Sequence, residues 1–122
     1  MKRSLALAVA MTLASACSAE NAPAIPLAPG QYDFQHRFAE HPTLPSIRLQ
    51  VTISGSHIVV INPVASDPFP AGTLAEGQLI WHAASQQWII GHDPSDKLAT
   101  DVGGCSDGPE TVDLINKIYW TC

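Results

Sequence analysis

The chain is poor in positive charge: 6 lysines and arginines stand against 11 aspartates and glutamates, a formal net charge of −5 with histidine neutral. Two of the basic residues, Lys2 and Arg3, sit at the extreme N-terminus, so the remainder is more acidic still. A negative domain without a basic run has no electrostatic reason to seek nucleic-acid phosphates, and a partner selected by charge should be basic. Catalytic signatures are missing too. There is no Gly-x-Ser-x-Gly, no His-Glu-x-x-His and no glycine-rich phosphate loop after a strand. Nothing places two carboxylates across a cleft as a glycosidase requires. Neither an enzymatic activity nor a cofactor is expected. Beyond the N-terminal region there is no amphipathic helix, internal repeat or low-complexity tract, and at 122 residues the chain has room for one domain.

What is present begins with an export signal. Lys2 and Arg3 precede an apolar run over 5–13, and Ala14-Ser15-Ala16-Cys17 follows. The run falls short of the roughly 17 to 25 residues needed to cross a bilayer. Ala14-Ser15-Ala16-Cys17 resembles a bacterial lipobox, although Ala14 stands where that motif has leucine and Leu13 lies one position early. The resemblance implies removal of 1–16, acylation of Cys17 and a periplasmic or outer-membrane-attached protein that touches membrane only through its lipid. Ordinary signal peptidase would cut after Ala16 or Ala19 instead.

Giving Cys17 to a lipid leaves Cys105 and Cys122 as one pair in an oxidising compartment. Chain-entropy models credit such a ring with about 3 kcal/mol. The competing reading makes Cys105, within Gly103-Gly104-Cys105-Ser106-Asp107, a thiolate nucleophile; a free-thiol assay separates the two.

Prolines at 23, 26 and 29 favour extended conformation. Residues 17–30 are therefore expected to form a tether, or an N-terminus with no mechanical role, ahead of a single domain at 31–122. Within it, residues 31–38 alternate with Tyr32, Phe34, His36 and Phe38 on one side. Residues 47–61 form a hairpin: Ile47, Leu49, Val51 and Ile53 alternate with polar residues, and Ile58-Val59-Val60-Ile61 returns after Gly55-Ser56. Glycine first in the turn suits type II′, which sets Ile53 opposite Ile58 and Val51 opposite Val60. Residues 62–73 hold three prolines and are expected to be irregular. Segments 78–82 and 87–91 form a second hairpin. Residues 93–110 are a long loop, and 111–122 a last strand bent near Asn116. The expected fold is all-β, a small antiparallel barrel or sandwich of about six strands.

Candidate binding residues come from the irregular segments. Phe69, held between Pro68 and Pro70, is either a core plug or an exposed contact. Asp93, Asp96, Asp101 and Asp107 form an acidic loop that, with Glu110, offers oxygen ligands of the kind calcium takes, but without EF-hand spacing. No pair among His36, His41, His57, His82 and His92 has zinc-motif spacing, so no metal site is expected and surface histidines are the plain reading; His82 and His92 come nearest, across the second hairpin. Trp81, Trp88 and Trp120 are either core or an aromatic platform for a sugar ring. In signal, size and cysteine pair the chain resembles periplasmic lysozyme inhibitors and immunity lipoproteins, which implies an envelope protein-binding module directed at a basic partner. The other class is an envelope lipoprotein that carries a small ligand or has a structural role.

Overall fold

The computed structural model describes residues 22–122, so the expected export signal and the expected acylation site Cys17 lie outside the described residues. Seven strands are present: β1 (Gly30–Phe38), β2 (Arg48–Ser54), β3 (His57–Asn62), β4 (Gly72–His82), β5 (Gln87–Gly91), β6 (Glu110–Asp113) and β7 (Ile118–Thr121). They follow one another around a closed barrel. The described residues are all-β, with a single 3-10 turn among them at Pro94–Leu98. Consecutive strands pair antiparallel, and the closing β1–β7 pair is parallel, Gln35 to Phe38 against Ile118 to Thr121. An odd number of up-and-down strands requires this, since the first and last run the same way.

The β2–β3 hairpin has the expected register, with Ser54 opposite His57, Ile53 opposite Ile58 and Val51 opposite Val60. Gly55 carries a φ of 62°, the left-handed value the first turn position demands. Leu49, Val51, Ile53, Ile58 and Val60 are buried in the barrel with Phe34, Leu79, Ile90, Val112 and Tyr119. Full burial of each aliphatic side chain is worth about 1.5–3 kcal/mol, so this hairpin supplies much of the core.

Three expectations are corrected. The segment 111–122 is not one bent strand but a hairpin, which raises the strand number to seven. Asp113 makes the turn: its Oδ1 accepts from the backbone N–H groups of Ile115 (3.0 Å) and Asn116 (2.9 Å), and its Oδ2 from Asn116 Nδ2 (2.9 Å). Lys117 completes it with a φ of 57°. This is the local capture of backbone donors that lets aspartate stop a strand. Second, β4 starts at Gly72, well before the alternation at 78. Its first half pairs with β3 across an irregularity at Val60/Ile61. Gly77 belongs there by necessity, since a Cβ on it would lie 2.5 Å from the Gly91 carbonyl oxygen of β5. Third, the described part of the expected tether lies against the barrel. Ile25 and Leu27 pack on the core, and Tyr32 donates its hydroxyl to the Ala28 carbonyl at 2.6 Å.

The loop 92–109 is ordered by its own polar groups. Asp93 caps the 3-10 turn, accepting from Ser95 N at 2.9 Å, while Asp96 accepts from His92 N at 2.8 Å and Asp93 N at 3.2 Å. Ser95 N–H, and then the Ser95 hydroxyl, hold the Asp93 carboxyl below its usual range. Further on, Gly103 N donates to Pro109 O at 2.7 Å, and the Cys105–Cys122 disulfide ties the loop to the end of β7 with a Cα–Cα distance of 4.5 Å.

Candidate functional site

The second hairpin brings two tryptophans together. Trp81 on β4 is directly opposite Trp88 on β5, and their rings meet edge to face at 5.3 Å and 67°. The turn between them has no glycine; Gln86 takes the left-handed position at a φ of 57°. His82 secures it. Its Nε2 donates to the Ala99 carbonyl at 2.7 Å, and since a carbonyl only accepts, the proton sits on Nε2 and Nδ1 accepts from the Ser85 hydroxyl at 2.6 Å.

These tryptophans form one wall of an open cleft of about 640 Å³. Pro23, Ala24 and Pro26 of the N-terminal segment, Gly103 and Gly104 of the tied loop, the turn residues Asp113 to Ile115, and Trp120 of β7 supply the rest. Trp88 is 9% exposed, whereas Trp81 and Trp120 are half-buried. Among the described residues none of the three indole N–H groups has a protein acceptor, and none is sealed from solvent. Gln86 Nε2 is used by the Ala83 carbonyl at 2.7 Å, while the Gln87 amide makes no hydrogen bond within the described residues. Among the described residues Asp113 is the one charged lining residue, and both its oxygens accept hydrogen bonds within the β6–β7 turn. The described lining thus offers aromatic faces, neutral donors and amides, with no cation.

A second aromatic cluster lies elsewhere in the barrel. His36 is fully buried, with Nδ1 2.7 Å from the Ser46 hydroxyl and Nε2 2.6 Å from the Thr121 hydroxyl. Its ring is 4.6 Å from both Phe38 and Phe69 and 6.2 Å from Tyr119. Burial, with Arg37 adding to it, pushes the His36 pKa down. Tyr119 donates its hydroxyl to the Glu110 carboxylate, and burial first, then that bond, push its pKa far up. The Ser46–His36 distance is that of a nucleophile and base. The imidazole nevertheless has no exposed surface and no part in the cleft, so no substrate reaches it.

The residues singled out from sequence are thus distributed. Phe69 is half-buried on His36, between plug and contact, and lies away from the cleft. Asp93 and Asp96 hold the 3-10 turn, while Asp101 and Asp107 are exposed and line no part of the cleft. Among the described residues no group of three or more histidines, cysteines, aspartates or glutamates could hold a metal ion. The reading of the histidines as surface residues is corrected at His36 and His82, both buried, because each ring finds two polar partners inside the fold. His82 does not meet His92, its two nitrogens being engaged by Ser85 and Ala99. Sequence reasoning missed Gln86, Gln87, Asp113, Ile115 and the segment 23–26 as parts of one site. The four-residue turn at 83–86 was the available signal, since it sets Trp81 against Trp88.

No family model matches the chain, and no curated protein and no solved structure matches it.

Proposed function

We propose that this protein is an exported binding module of the cell envelope that recognises its ligand in the tryptophan-lined cleft and carries out no chemistry on it. The cleft carries this reading. A volume of about 640 Å³ falls in the range of small-ligand sites, which are mostly aromatic or apolar with a few placed polar groups. The three indole N–H groups have no acceptor among the described residues and remain open to solvent, so a ligand in the cleft would take the place of that solvent. Of the titratable groups with perturbed pKa values, by contrast, His36 and Tyr119 are occupied inside the protein and Asp93 is engaged by Ser95 in its own 3-10 turn. Export supplies the compartment, and the N-terminal segment that follows the export signal forms part of the cleft wall.

The test is retention. The chain, as processed on expression, is immobilised and challenged with soluble and particulate envelope fractions, beside Trp81→Ala and Trp120→Ala variants. The expected result is material held by the native chain and lost from the variants. Equal retention by all three chains defeats the cleft, and no retention of any fraction defeats the binding reading.

A second reading keeps a protein partner, on the strength of one observation. The disulfide-tied loop is ordered yet leaves Leu98 76% exposed beside the acidic residues, and an ordered loop binds at little entropic cost. In that case retention is lost with Leu98→Ser and unaffected by the tryptophan variants.

A further inference from the structure

Resting on the binding reading above, we propose that the cleft is a saccharide site, taking an uncharged sugar whose ring faces lie on the half-buried Trp81 and Trp120, with Trp88 in the core behind Trp81. Three properties of the lining select this class. First, among the described residues the only charged side chain there, Asp113, has both carboxylate oxygens hydrogen-bonded within its own turn, and no described lining residue is basic. A phosphate or a carboxylate would meet no cation among the described lining residues and would face the Asp113 carboxylate, at a desolvation cost the site does not offset. Second, the polar groups that remain are indole donors and the Gln86 and Gln87 amides, which donate and accept without charge. Sugar hydroxyls present both functions around the ring edge. Third, a pyranose is apolar on its C–H faces and polar at its rim, the same division of surface that an indole has.

Tryptophan emission reads the site directly, and titration calorimetry gives the affinity. The probes are N-acetylglucosamine, its β-1,4-linked tetramer and the glucose tetramer of the same linkage, with a proline-rich peptide and a medium-chain fatty acid as competitors. The expected result is saturable quenching by at least one of the three sugars. Affinity should be unchanged, within about twofold, between about 50 and 200 mM salt, because no ion pair forms. A tighter tetramer identifies a glycan chain as the source, and equal affinity for the monomer identifies a free sugar. Gln87→Ala, at an exposed turn position, should weaken binding about three- to tenfold. Trp81→Ala should weaken it more than tenfold if the variant folds, and the glutamine variant carries the test if it does not. No saturable change with any of the sugars, while the peptide or fatty acid binds and shifts the emission, overturns the saccharide and leaves the binding reading standing. Sugar binding unaffected by both variants overturns the assignment to this cleft.

Discussion

The barrel contains two aromatic clusters of similar make-up, and they treat their polar atoms in opposite ways. Around His36 the rings of Phe38, Phe69 and Tyr119 close over an imidazole whose two nitrogens, like the Tyr119 hydroxyl, each have a partner inside the fold. Around Trp81 and Trp88 the rings also pack on each other, at 5.3 Å, yet the indole N–H groups have no partner among the described residues. The difference follows from position. His36 lies on the parallel β1–β7 seam, where the excursion carrying Phe69 folds over it, whereas the tryptophans lie beside two turns that leave a gap between them. Aromatic content therefore says little about use, and the hydrogen-bond count says much more. A cluster whose donors are all engaged inside the protein stabilises the fold; one whose donors are left to solvent has capacity for a ligand.

The largest expected effect tests the sealed cluster. His36→Ala removes a fully buried ring from between two phenylalanines and leaves the Ser46 and Thr121 hydroxyls without their partner, a loss of about 3–4 kcal/mol. Urea unfolding measures it. Trp120→Ala, half-buried and making no side-chain hydrogen bond, should cost less than half as much. Equal losses at the two positions would erase the distinction between the clusters.

Next comes the disulfide, which belongs to both. It joins the residue after Thr121, a partner of His36, to the residue after Gly103 and Gly104, which wall the cleft. Replacing both Cys105 and Cys122 with serine opens a ring for which chain entropy gives about 3 kcal/mol. Hydrogen exchange at 102–104 should rise in the same variant, and cleft affinity should fall with it. A stability loss with no change in exchange would mean that the bond serves the seam alone.

How much of this was legible in the sequence differs from element to element. The inward face of the β2–β3 hairpin was legible from strict alternation; its register was less so, because a turn at Ser54-Gly55 would keep the same aliphatic side chains inside, and the structure has the Gly55-Ser56 turn. The β6–β7 turn was not legible, because Leu114 and Ile115 continue an apolar run and hide the stop. Asp113, capturing two backbone N–H groups, acts through side-chain geometry that hydropathy does not register. The first half of β4 escaped for the opposite reason, since Thr73, Ala75, Glu76 and Gly77 give no alternation and pairing with β3 alone makes them a strand. The cleft inherits these gaps. Its three tryptophans could be named from the chain, but their convergence depends on the missed hairpin and on a proline-rich segment that lies on the barrel instead of standing away from it.

Acidification separates the clusters without a mutation. Burial and Arg37 lower the pKa of His36 in the folded protein below its ordinary 6.5. Below 6.5 the unfolded chain therefore takes up a proton that the folded one resists. Stability should be fully present above that pH and fall as the solution is acidified toward the depressed folded value. A series of urea melts checks this, and His36→Gln should flatten the part of the profile due to this residue. The cleft lining contains no histidine, so ligand affinity should hold steady over the same interval. Affinity falling in parallel with stability would show that the clusters are coupled.

The smallest expected change in stability gives the sharpest contrast. Gln87 sits at the mouth of the second hairpin, exposed, opposite His82 in the ladder, with no hydrogen bond from its side chain among the described residues. Removing an exposed side chain that holds nothing should move unfolding by no more than about 0.5 kcal/mol. If its amide is kept for a ligand, Gln87→Ala loses affinity while the melting curve stays where it was, the inverse of what His36→Ala does. A variant that loses stability and affinity together would instead mean that Gln87 supports the turn, and that the turn, not the amide, shapes the cleft. Only the first pattern makes an unpaired donor or amide a sign of use, and Gln87 is where that sign can be read with the fold held constant.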